Sequence, residues 1–214
     1  MKKTLLATMM TFLISGVSYA DELRLEAGAS ATLGDYTLKV EEQTRQELTV
    51  NADLVTKAAP YEHTVFAVGK EIASGPIGSA DAQLRIRNTN TGGESKNRVS
   101  LDVNSKHTLP LGLNLQNRLR IQLDETADIT AVGAEDFRVR DQLALSMDVL
   151  GAAISVGDEL HVGTDGKIKE NRIVTTISKE LCKGFSVRAE YFRQNMVEGQ
   201  DDANVVTAMA TLSF

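Results

Sequence analysis

Tryptophan is absent from this 214-residue chain, cysteine occurs once and proline three times, and aromatics make up only 5% of it. Each shortage excludes something. The single cysteine, Cys182, cannot form an internal disulfide, and it lies too far from the N-terminal region to carry a lipid there. A membrane-spanning helix needs about 20 apolar residues. The most apolar stretch, LLATMMTFLISGV at residues 5–17, is shorter than that, and nothing downstream comes closer. The three histidines, His63, His107 and His161, show no helical or loop spacing that would suggest a metal site. No phosphate loop, nucleotide fingerprint or calcium loop is visible, so no cofactor is expected. The chain is acidic, with a net charge of −6, which argues against a nucleic-acid partner.

What is present begins with a leader. Lys2 and Lys3 precede the apolar stretch, and Ser18, Tyr19 and Ala20 follow it with small residues at the minus-three and minus-one positions, the pattern of a signal peptide cleaved after Ala20. Residues 1–20 are therefore expected to be removed, leaving 21–214 as one exported domain with a net charge of −8.

The rest of the chain alternates. In NLQNRLRIQLD, residues 114–124, Leu115, Leu119, Ile121 and Leu123 fall on one side and Gln116, Arg118, Arg120, Gln122 and Asp124 on the other, a period of two that specifies a strand. Similar stretches are expected near 36–42, 46–55, 63–72, 82–88, 97–104, 113–124, 137–149, 152–162, 170–181, 185–194 and 204–214, with a further one near 23–33. Pro60, Pro76 and Pro110 fall between them, where no ladder hydrogen bond is needed. The pattern suits an all-β, antiparallel transmembrane barrel of about twelve strands, or ten if residues 23–33 form a plug or tail. A soluble periplasmic β-sandwich that binds a ligand is the alternative.

A barrel in a membrane alternates short turns on one side with longer loops on the other. Counted back from the C-terminal strand, 200–202, 164–167 and 125–136 are expected on the external side and 182–184 and 150–151 on the periplasmic side, and the longest break falls on the first and the tightest on the second. Upstream the contrast weakens, because SKHTLPL and ASGPIGS do not read as short turns. An even strand number would place both ends of the domain on the same side. Phe137, Phe185, Tyr191 and Phe214 fall on the apolar phase near strand ends, where an interfacial girdle would lie. The final strand, VVTAMATLSF, resembles the terminal strand of Gram-negative outer-membrane barrels, whose last residue is read by the assembly machinery. That resemblance implies outer-membrane lipids and this machinery, through Phe214, as partners.

Arginine sits on the polar phase. Arg85, Arg87, Arg98, Arg118, Arg120, Arg138, Arg140, Arg172 and Arg188 all oppose apolar neighbours, while Lys57, Lys96, Lys106, Lys167, Lys169 and Lys183 lie in or beside breaks. A confined lumen favours such sorting, since the planar guanidinium pairs in bidentate fashion with carboxylates and lysine is better left hydrated. Asp102, Asp124, Asp148, Glu159 and Glu190 are the expected acidic partners on the same phase, and they are fewer than the arginines. Two functions follow: an ion-pair network that fills and closes the barrel, or a passage for small anionic solutes. Glu159-Leu160-His161 is the best pair for acid–base chemistry, but such a pair arises easily by chance and the histidine reads as one more hydrogen-bonded lumen group, so the expectation is no enzyme, an outer-membrane hydrolase ranking last.

Asn97-Arg98, Asn117-Arg118-Leu119-Arg120, Arg138-Val139-Arg140 and Asn171-Arg172 recur on successive strands. In these repeats the chain resembles a family of small Gram-negative outer-membrane barrels of unknown function. It is also similar to monomeric porins for acidic oligosaccharides, although its few tyrosines and lack of tryptophan depart from their sugar-stacking surfaces. The resemblance implies an outer-membrane location in a Gram-negative bacterium.

Overall fold

The computed structural model describes residues 21–47, 61–91, 93–123, 137–197 and 202–214. The leader at 1–20, Pro60, Lys57 and Asp124 lie outside the described residues.

Eleven strands are described: β1 (Glu22–Leu33), β2 (Tyr36–Glu47), β3 (Tyr61–Gly75), β4 (Gly78–Thr91), β5 (Glu94–Thr108), β6 (Leu113–Leu123), β7 (Phe137–Val149), β8 (Ala152–Gly163), β9 (Ile168–Cys182), β10 (Phe185–Met196) and β11 (Ala203–Ser213). Consecutive strands pair in antiparallel fashion, and β1 closes the barrel against β11 in parallel, from Glu22 opposite Val205 to Ser30 opposite Ser213. Closure leaves no strand edge unpaired, the condition a sheet must meet to sit in lipid.

Eleven strands is one fewer than twelve, and the reason lies in β2. The stretches expected as separate strands at 36–42 and 46–55 are joined by one strand through Gln43-Thr44-Arg45, with Glu41, Gln43 and Arg45 all turned inward; residues 48–55 lie outside the described residues. EEQTRQE has no apolar alternation and reads as a break, yet a strand lining a polar interior needs none on that side. The odd number corrects a second expectation. Residue 21 and residue 214 sit at opposite ends of the barrel: Asp21 N–H donates to the Asn204 carbonyl at 2.7 Å, and Phe214 N–H donates to the Ser30 carbonyl at 2.9 Å.

The connections alternate between the two ends of the barrel, although 92–93 is as short as the two-residue turns at the opposite end. Connections at 34–35, 76–77, 109–112, 150–151 and 183–184 share the end that holds Phe214, and those at 48–60, 92–93, 124–136, 164–167 and 197–202 share the other. SKHTLPL and ASGPIGS do not break the pattern, because β3, β4 and β5 extend through most of both stretches. Pro76 and Pro110 then fall in the tight connections themselves. Leu150 and Gly151 both have positive φ (53° and 73°), the requirement of a two-residue type I′ hairpin turn. Thr164–Lys167 carries an Asp-Gly turn, with Asp165 accepting from the Lys167 N–H at 3.1 Å.

Burial is inverted relative to a soluble domain. Leu84, Leu101, Leu143, Leu145, Phe66 and Ile173 are exposed on the outer wall, whereas Asp102, Gln122 and His161 are each only 1% exposed. Four carboxylates, Glu42, Glu62, Asp141 and Asp158, break the apolar outer phase and are exposed there. The Asn117 side-chain amide caps Asp141 at 2.7 Å.

The wall is tight where β7 meets β8. Gly157 faces inward opposite Ala144, and a Cβ on Gly157 would lie 2.6 Å from the Ala144 Cβ and 2.7 Å from the Leu143 carbonyl oxygen. Backbone cannot yield as a side chain can, so Gly157→Ala is expected to destabilise the barrel by about 1–3 kcal/mol in urea unfolding of the micelle-refolded protein.

Candidate lumen site

The polar phases of the strands converge on one internal cavity of about 1010 Å³. All nine arginines expected inside line it, together with two that the sequence reading passed over, Arg24 and Arg45. Lys39 and Lys106 also reach its wall, so the sorting of lysine to connections is incomplete. Against these thirteen cations stand seven lining carboxylates: Glu26, Glu41, Asp81, Asp102, Glu159, Glu170 and Glu190. Glu22 at the rim is an eighth, 2.5 Å from Arg24 and 3.3 Å from Arg45. An acidic protein thus encloses a cationic interior.

Of the expected partners, Asp102, Glu159 and Glu190 are inside. Asp102 takes a bidentate pair from Arg120, with Nε at 2.7 Å and Nη2 at 2.6 Å. Glu190 is more loosely held, 3.9 Å from Arg188 and 3.5 Å from the Thr176 hydroxyl. Asp148 is not a partner: β7 has by then run beyond the cavity rim, and the side chain is exposed beside the 150–151 turn. Asp124 lies outside the described residues.

Glu159 is the hub. Its carboxylate, 3% exposed, pairs with Arg118, stands 3.8 Å from Arg140 and 3.6 Å from Arg172, and lies 2.5 Å from His161 Nε2. The other imidazole nitrogen, Nδ1, is 2.9 Å from Glu170, which in turn pairs with Arg172. Both nitrogens of His161 therefore face carboxylates, and neither is presented to a hydroxyl or thiol. A second group gathers on β1–β4, where Arg85 meets Glu41 at 2.8 Å and the Arg45 guanidinium lies 4.1 Å from the centre of the Tyr61 ring.

No protein-family model matches the chain, and no curated protein matches it.

Phe192 joins the two groups. It points inward, with the guanidinium carbons of Arg24 and Arg172 each 4.9 Å from its ring centre, and it packs with Val174 and Val205 in a small apolar cluster. The sequence reading did not place an aromatic inside. The signal was there in phase: Phe192 shares parity with Arg188 and Glu190. The register also sets arginine directly opposite arginine in three places, Arg24 with Arg45, Arg87 with Arg98, and Arg120 with Arg140. Like charges at directly paired positions repel; Glu22 stands beside Arg24 and Arg45, Asp102 beside Arg120 and Glu159 beside Arg140.

Proposed function

We propose that the chain is an outer-membrane β-barrel whose cationic lumen passes small anionic solutes. The observation that carries this reading is the surplus of cations over carboxylates on the wall of a cavity of about 1010 Å³. Rings of arginine in a pore lower the barrier to anions and raise it to cations, and the exposed apolar outer wall is what a barrel in lipid requires. Both nitrogens of His161 being held by carboxylates argues against a hydrolase. Phe214, exposed at the end of the outer wall, suits a handle for the assembly machinery.

Planar-bilayer recording of the refolded protein tests the reading. Under a KCl gradient the reversal potential is expected to show anion selectivity, and replacing Arg118, Arg120, Arg138 and Arg140 with glutamine is expected to abolish it, a change of about tenfold or more in the permeability ratio. No opening at any voltage would remove the passage and leave a second reading, a structural envelope barrel. The Glu159 cluster favours that reading, since eleven strands lie between the eight whose interior side chains can fill and the sixteen or more that leave a wide aqueous channel. Recovery in the soluble periplasmic fraction would remove both.

A further inference from the structure

Among the described residues, Gln122 has no hydrogen-bond partner at either end of its amide, although it is 1% exposed and lines the cavity. A buried amide carries two donors and an acceptor oxygen, and leaving both ends unsatisfied is strongly unfavourable. Its neighbours are cations. On the inner wall it pairs with Ser100 on β5 and Arg138 on β7. The next row toward the 124–136 connection holds the opposed pair Arg87 and Arg98, and the next row inward holds the opposed pair Arg120 and Arg140. Residues diagonal to one another across paired strands are within reach of long side chains. Asp102, diagonal to it on β5, already takes two hydrogen bonds from Arg120.

From this arrangement we infer that Gln122 is the specificity residue of an anion subsite near the long-loop mouth of the lumen, built for a small oxyanion that carries an O–H group of its own. The guanidiniums supply charge to any anion. The amide adds a preference: its N–H groups donate to oxyanion oxygens, while its carbonyl oxygen accepts from the O–H that a protonated oxyanion such as hydrogen phosphate or a hydroxy acid brings. With an anion that has acceptors alone, that oxygen must instead take a guanidinium N–H away from the anion, and a site that hydrogen-bonds an O–H disfavours the analogue that lacks it. Reading the amide in either orientation changes nothing, since both a donor and an acceptor face the site in each. The inference deepens the anion-passage reading, on which it rests for solute access.

The test compares inorganic phosphate with sulfate in mildly alkaline buffer, where both are tetrahedral dianions and only phosphate retains an O–H. Titration calorimetry on the refolded protein in micelles is expected to show phosphate binding at least about tenfold tighter than sulfate. Gln122→Leu is expected to bring the two within about twofold of each other. Gln122→Glu, which sets a carboxylate among the guanidiniums, should weaken phosphate by at least about tenfold. Equal binding of the two anions, no binding of either, or a phosphate preference that survives in Gln122→Leu would overturn the inference. If Gln122→Leu gives no folded barrel, the wild-type comparison and Gln122→Glu decide alone. Calorimetry needs no membrane, so the two readings fail separately. Anion-selective conductance without phosphate preference removes the subsite and keeps the passage, and phosphate preference without conductance removes the passage.

Discussion

Leu84→Arg is expected to cost the barrel about 2–4 kcal/mol when unfolding is measured from lipid vesicles. Leu84 sits mid-strand on β4, 51% exposed on the outer wall, with the exposed Val68 and Leu101 beside it on β3 and β5. In a water-soluble sandwich, placing arginine at a half-exposed surface position with no hydrogen bond or cavity at stake changes stability by roughly 0.5 kcal/mol or less. In acyl chains the same guanidinium must be dragged toward the interface or solvated by a water defect. The two environments thus give effects of different size from one substitution. A near-neutral result in vesicles would mean that this face does not meet lipid.

Glu159→Leu is the second large effect, an expected loss of about 3–5 kcal/mol, because removing one member of a buried ion cluster leaves its partners charged and unpaired. Arg118, Arg140, Arg172 and His161 all converge on this carboxylate. Volume alone does not explain such a loss, since leucine is close to glutamate in size. A double-mutant cycle separates charge from shape: if Glu159 acts through Arg118, the Glu159→Gln, Arg118→Gln pair should lose less than the sum of its two single variants. Strict additivity would show that the hub is not energetically coupled to that arginine. Leu84 probes the outer wall and Glu159 the inner, and a barrel with its polarity inverted makes both sensitive.

The period of two was enough to recognise the strands from Phe137 onward, and to divide each into an apolar and a polar side, because the alternation in β7 to β11 persists through the interruptions at Asp141 and Asp158 and the strands are joined by glycine-bearing or short polar turns. It failed where the polar side dominates both phases. Gln43-Thr44-Arg45 in β2 offers no apolar residue to keep the rhythm, so one strand read as two and the parity of the barrel came out even. The lengths of β3 to β5 were underestimated for a related reason: their ends near Ser74 and Lys106 are polar on both faces, as strand ends leaving an apolar band should be.

At the site, phase alone placed nine arginines inside, since inward and outward positions cannot be confused once the apolar side is known. Pairing was not legible. Which carboxylate meets which guanidinium depends on register between strands far apart in the chain, such as Glu159 on β8 reaching Arg118 on β6, and on where a strand clears the cavity, which is why Asp148 belongs to the polar phase but not to the network. Glu170 and Glu26 sit on the same inward phases as the arginines beside them, and following each phase to its end would have found them.

The absence of tryptophan supplies the most direct test of the central claim, that the leucine face of NLQNRLRIQLD is the outside of the protein and its arginine face the inside. Two single-tryptophan variants suffice: Leu119→Trp on the outer wall and Ser155→Trp on the cavity wall. In vesicles of brominated phospholipid, the indole at position 119 is expected to be strongly quenched by the acyl bromines and untouched by aqueous iodide, whereas the indole at position 155 escapes the bromines. Quenching of position 119 by iodide, with no effect of the brominated chains, would contradict the membrane barrel.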